Sequence, residues 1–261
     1  MLITPIYKGQ GLGNQLANYI TTRCIALDKG YEFAVAFPER FKGFFFKNLE
    51  LPKFEGFEVF EEGGQPYLMP EGYKYYREIS SDYDPFIFDI PDNYVIHGNL
   101  QGEKYFENHR DEIKEWLKVD EIDMADDLCV INFRGGEYVG VPQFFLPQSY
   151  WDNAIKNMQK INPQMRFEIH TDDPATARLF FGAYKIIKDM EINWRSIRYA
   201  KYLILSNSTF ALLPAWLGDA KLIIAPKYFA RFNQDYWFLE QNKMKCFTYQ
   251  DKNGNLDNKQ L

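Results

Sequence analysis

The feature that most constrains the fold of this 261-residue chain is the regular alternation of short apolar runs with amphipathic stretches after residue 127. Leu128–Phe133 predicts a strand, followed by a helix from about Pro147 to Lys160, a strand over Arg166–His170 and a helix over Pro174–Gly182. The series continues with a short strand near Tyr184–Ile187, a helical stretch over Trp194–Ala200 and a strand over Tyr202–Leu205. A helix near Ala211–Leu217 and a strand over Lys221–Ala225 follow. Strands separated by helices pair in parallel, because each helix carries the chain back to the starting edge of the sheet. Ligand sites in such sheets lie at the C-terminal strand ends.

The first half is less regular. Leu2–Tyr7 reads as a strand, then the glycine-rich loop Gly9–Gln15, then a helix from Gln15 to about Lys29 with Leu16, Tyr19, Ile20, Cys24 and Leu27 on one face. Tyr31–Phe37 and Asn93–Gly98 read as strands and Glu107–Lys118 as a helix. Between them, Pro38–Pro91 has no period and includes the run Glu61-Glu62-Gly63-Gly64, so long loops and short elements over a cleft are expected there. The acidic connector Asp120–Asp127 marks a boundary between an N-terminal lobe, residues 1–119, and a C-terminal lobe, residues 120–261.

A net charge of −6 argues against nucleic-acid binding, which requires a clustered basic excess. Cys24, Cys129 and Cys246 are far apart and lack ligand spacing, which argues against a disulfide framework and against zinc. The N-terminal apolar segment is too short for a signal core, and no apolar run reaches about 18 residues. The expectation is a soluble cytoplasmic protein that can touch the inner membrane peripherally.

Arg134 stands at the end of the apolar run and is followed at once by Gly135-Gly136-Glu137-Tyr138. A permanently charged guanidinium at a strand tip, beside backbone without Cβ atoms, suits an approaching phosphate or pyrophosphate. The amides of Gly11 and Gly13, at a strand-to-helix junction, can face an anion or form a plain tight turn. Ser206, Asn207, Ser208 and Thr209, ahead of Phe210, can cap a helix and can equally donate to phosphate oxygens. Of Asp172 and Asp173, one is expected to accept hydrogen bonds from a nucleobase or sugar and the other to cap the helix opened by Pro174. His170 reads as structural, and His97 and His109 receive no role.

Taken together, these segments resemble glycosyltransferase family 11, the bacterial-type α-1,2-fucosyltransferases of GT-B fold. The likeness runs in order through Gly9–Gln15, Gln101–Phe106, Asn132–Tyr138, Leu146–Tyr150, Thr171–Asp173, Ser206–Phe210, Ala215–Leu217 and Ala225–Lys227. It implies an α/β GT-B protein, two Rossmann-like lobes with parallel sheets facing a cleft. The implied activity is an inverting transfer of L-fucose from GDP-fucose to a galactoside hydroxyl of a glycan. Alternatives are another nucleotide sugar on the same fold, or a non-catalytic nucleotide- or sugar-binding relative. In related enzymes the motif arginine contacts the donor pyrophosphate, and Arg134 keeps that place. The motif histidine that helps hold the guanine is Asn132 here, the second arginine is Gly135 and the aspartate is Glu137.

The resemblance thus implies Arg134, Asn14 and Glu137 as catalytic residues. It implies Gly11, Gly13, Asn132, Asp172, Asp173, Ser206, Asn207, Ser208, Thr209 and Phe210 as donor-binding residues. Glu137 and Asp172 are the candidate bases, and Asn14 orients acceptor or donor. Neither cofactor nor metal is expected, since Asp172 and Asp173 are adjacent rather than spaced as a metal-binding Asp-x-Asp.

Overall fold

A computed structural model describes residues 1–55, 59–62, 65–68, 70–78, 82–236 and 243–257, with backbone alone for 59–62 and 65–68. Gly63 and Gly64 of the acidic run therefore lie outside the described residues. Two compact units divide the chain, Met1–Lys118 and Val119–Leu261.

In the first unit, strand β1 (Leu2–Pro5) is buried along its whole length and leads to helix α1 (Leu12–Lys29). The helix ends at Gly30, which adopts φ 65 and directs its N–H to the Ala26 and Leu27 carbonyls. Then come β2 (Phe33–Ala36), an antiparallel hairpin of β3 (Val59–Glu62) and β4 (Gln65–Leu68), β5 (Lys74–Arg77), β6 (Tyr94–His97) and helix α2 (Arg110–Trp116). The four-stranded sheet has the order β2-β1-β6-β5, with every neighbouring pair parallel.

Three expectations are corrected in this unit. Helix α1 starts at Leu12, not Gln15: Gly13 and Asn14 are poor helix formers, but burial of Leu12 and Leu16 holds the first turn in place. Strand β5 lies inside the stretch expected to be irregular, pairing with β6 from Lys74 to Arg77. The expected helix over 107–118 is a 3₁₀ turn, Glu107–His109, followed by α2.

The second unit is built on β7 (Leu128–Phe133), helix α3 (Gln148–Ile161), β8 (Arg166–Thr171), helix α4 (Pro174–Phe181) and β9 (Lys185–Ile187). It continues with helix α5 (Met190–Tyr199), β10 (Tyr202–Ile204), helix α6 (Thr209–Leu217), β11 (Leu222–Pro226) and β12 (Thr248–Gln250). The six strands form one parallel sheet in the order β12-β11-β10-β7-β8-β9. One face carries Cys129, Ile131, Phe133, Phe167, Ile169, Ile204 and Ile224 into a core with Tyr150, Trp151, Ala154 and Met158 of α3 and Ala177 and Phe181 of α4. Phe133 meets the rings of Phe145, Trp151, Phe180 and Phe181 at 5.2 to 6.0 Å, which fixes which way β7 faces.

Helix α5 starts four residues before the expected Trp194, because Asp189 caps it through Ile192 N–H at 2.8 Å. Exposed Met190 and Ile192 had broken its apolar stripe. Strand β12 was not foreseen. It is held by Gln250, fully buried, which donates to the Tyr150 carbonyl and accepts from Asn157 Nδ2, each at 3.0 Å. The chain is thus a mixed α/β protein with two parallel sheets of Rossmann-like class. Cys24, Cys129 and Cys246 form no disulfide with one another. Among the described residues no helix is long and apolar enough to cross a membrane.

Candidate functional site

In a parallel sheet all strands end at one edge, and the backbone amides of the helices that follow point back towards it. Strand β7 lies inside the six-stranded sheet between β10 and β8, so the residues just after Phe133 stand at the middle of that edge. Arg134 occupies this position and is partly exposed. Its Nη1 donates to Asp172 Oδ2 at 2.5 Å and its Nη2 to Glu137 Oε1 at 2.8 Å. The guanidinium carbon lies 5.3 Å from the centre of the Tyr138 ring. Burial raises the Tyr138 hydroxyl pKa against the opposing pull of Arg134, so Tyr138 stays a neutral platform.

The glycine pair serves a purpose that the sequence did not reveal. Gly135 N–H donates to Asp172 Oδ1 at 3.0 Å, and Gly136 N–H to Asp173 Oδ2 at 3.3 Å. A Cβ on Gly135 would come within 2.6 Å of Asp173 Cβ, and one on Gly136 would run into Asp172 Oδ2. Gly136 also has φ +46, where side chains are strained. An anion does approach this backbone closely, and it is the protein's own pair of carboxylates.

The two aspartates divide their work. Asp173 is the N-cap of α4, accepting from Thr176 N at 3.1 Å and from the Thr176 hydroxyl at 2.6 Å, and these bonds hold its carboxyl below the usual range. Asp172 faces Arg134 and Gly135 instead. One guanidinium is thus paired with the carboxylates of Asp172 and Glu137, while Asp173 sits on the neighbouring Gly136 amide, so the formal charge of the group is negative.

On the neighbouring strand, the segment leading into α6 is partly turned inward, which corrects the reading of Ser206 and Asn207 as phosphate donors. The Ser206 hydroxyl donates to Asn132 Oδ1 at 2.8 Å, with both residues buried. Asn207 Nδ2 donates to two carbonyls, Phe144 O at 2.8 Å and Phe229 O at 2.7 Å. Ser208 holds the N-cap position of α6, yet its side chain makes no capping hydrogen bond. Thr209 opens the helix, whose first turn carries no acid, and Phe210 packs edge-on against Trp194 at 5.9 Å. Asn132 is a buried strand-end amide bonded to Ser206, and its carboxamide oxygen is not turned towards solvent.

His170 is fully buried on β8, with Nδ1 2.9 Å from Asn193 Oδ1 and Nε2 3.8 Å from Glu168 Oε2. Burial lowers its pKa, in keeping with a structural role.

In the first unit, Gly11 is the extended residue before α1, while Gly13 and Asn14 belong to the first helical turn. A Cβ on Gly11 would meet nothing within 4 Å, so internal crowding does not require that glycine. Asn14 Oδ1 accepts from Gln101 Nε2 at 3.4 Å. His97, without a role on sequence grounds, ends β6 at the corresponding edge of this sheet, 4.7 Å from the Tyr7 ring, and burial lowers its pKa. Its position as the last residue of an apolar run was the signal available. Among the described residues, no group of three or more His, Cys, Asp or Glu side chains is placed to hold a metal. Family models and curated proteins, when compared with the chain, yield no match.

Proposed function

We propose that this protein is an inverting glycosyltransferase of GT-B type that moves L-fucose from GDP-fucose onto a galactoside hydroxyl of a glycan. The observation carrying this reading is Arg134 at the C-terminal tip of an interior parallel strand, with the Gly135 amide beside it. Helix α6 rises from the adjacent strand β10 with no acid in its first turn. A guanidinium, a backbone N–H group and a helix N-terminus at one edge are the donors a departing diphosphate requires.

In this reading the acceptor oxygen attacks the anomeric carbon as the bond to the diphosphate oxygen breaks. The acceptor proton passes to a carboxylate, Glu137 or Asp172, and the leaving diphosphate takes the bonding electron pair. Arg134 and the Ser208–Thr209 turn stabilise the charge that grows on it, without a metal.

A second reading, the same chemistry with another nucleotide sugar, is favoured by Asn132, whose oxygen is already bonded to Ser206. A panel of GDP-, UDP- and dTDP-sugars, assayed for donor consumption with a galactoside acceptor and for anomeric configuration of the product, decides between them. Arg134→Ala should lower turnover of the accepted donor by about a hundredfold or more, as for loss of a charged donor to a developing anion. Near-normal turnover in a variant with an unchanged circular dichroism spectrum refutes the proposal.

A further inference from the structure

We propose that the Asp172 carboxylate is a built-in stand-in for a ligand phosphate, filling the Arg134–Gly135 cradle while it is empty and leaving it when a diphosphate arrives. This inference rests on the diphosphate reading of the Arg134 site and adds to it the step by which that site is opened.

The geometry is that of an anion in its cradle. One carboxylate oxygen accepts from the Arg134 guanidinium and the other from Gly135 N–H, a side chain and a backbone donor converging on one planar anion. Both glycines are required by this fit, since a Cβ on either would meet Asp172 or Asp173. Asp173 has a second duty and cannot leave, because it caps α4 through Thr176. Among the described residues, the Asp172 carboxylate has no hydrogen bonds beyond Arg134 and Gly135.

The pair is also open to competition. The Arg134 and Asp172 side chains are 29% and 32% exposed, so water and ions reach both, and an exposed pair of this kind adds little stability. A phosphate presents more charge and more acceptor oxygens than a carboxylate. Glu137, on the other guanidinium nitrogen and 73% exposed, can keep Arg134 aimed while Asp172 swings out. Opening the cradle is opposed by the charge of Asp172 itself, so the residue also sets how strongly an anion must bind to enter.

The test is calorimetric titration of the full chain with inorganic pyrophosphate, comparing wild type, D172N, D172A, R134M and the D172N/R134M double variant. Asparagine keeps the shape and the acceptor for Gly135 but releases the guanidinium. D172N and D172A should bind pyrophosphate at least tenfold more tightly than wild type, and both R134M proteins should lose that gain. If D172N and D172A bind no more tightly than wild type, or if no variant binds pyrophosphate, the stand-in is refuted. D172A keeps the test decisive should D172N fold poorly. If pyrophosphate binding tightens as expected but no nucleotide sugar in the panel is consumed by wild type, the stand-in holds and the glycosyltransferase reading fails.

Discussion

Asn207 offers a quantitative test of how the functional edge is held together. Its Nδ2 donates both protons to backbone carbonyls, Phe144 O and Phe229 O, and the residue is 7% exposed. It thereby ties the exit of β10 to the loop after β7 and to the loop after β11. Asn207→Ala removes two hydrogen bonds, each worth a net ~1 kcal/mol, and leaves two carbonyls that a water can rehydrate in the space vacated. The expected loss is about 2 kcal/mol.

Asn207→Asp keeps the shape but faces two carbonyls with an anion, and should be the worse variant at pH 8. Lowering the pH must rescue it in part, because a protonated carboxyl can donate one bond. The buried acid has a raised pKa in the folded state, so the native state binds more protons than the unfolded state and gains stability as pH falls. Since the chain has two units, a single global transition is a poor probe. Native-state hydrogen exchange of peptides covering β7 and β11 reports the second unit alone. An alanine variant within ~0.5 kcal/mol of wild type, or an aspartate variant as stable as wild type at pH 8, refutes the argument.

Other expectations can be checked directly. Turnover should persist after dialysis against EDTA; activity that vanishes and returns with magnesium or manganese overturns the leaving-group argument. Asn132→Ala should lower stability by about 1 to 2 kcal/mol, because it strands the buried Ser206 hydroxyl, and native-state hydrogen exchange of β7 peptides measures this. Asn132→His should shift preference among GDP, UDP and dTDP in calorimetric titrations, and unchanged affinities would place the base elsewhere. His170 has a lowered pKa in the folded state, so stability is full above its unfolded pKa of about 6.5 and falls as pH drops below it. Exchange of β8 amides between pH 7.5 and 5 should show this loss, and His170→Asn should diminish it.

The second unit was largely legible because β7 and β11 are buried along their whole length and its helices carry their own signals. Leu128–Phe133 is wholly apolar but for Asn132, and Pro174 follows a capping aspartate. Elements whose stability comes from distant partners were not legible. Strand β12 depends on Asn157, Tyr150 and Gln250, and β5 is a half-exposed edge strand. At the site, the tip position of Arg134 followed from the end of an apolar run. Its pairing with Asp172 did not, because that contact joins residues 38 apart and only the register of β7 with β8 creates it. Ser206 and Asn207 illustrate the same limit: a polar run at a strand end reveals its donors but not whether they face solvent or the interior.

The strand order also sets a schedule for synthesis. Strand β7 emerges first in its unit and can pair with β8, which in turn takes up β9, but the other side of β7 must wait for β10, across the 74-residue gap that separates Asn132 from Ser206. At about 5 to 20 residues per second, one edge of an almost entirely apolar strand stays open for roughly 4 to 15 seconds on the ribosome. The Arg134–Asp172 pair needs only β7 and β8, so it can close during that interval, before the α6 segment has been made.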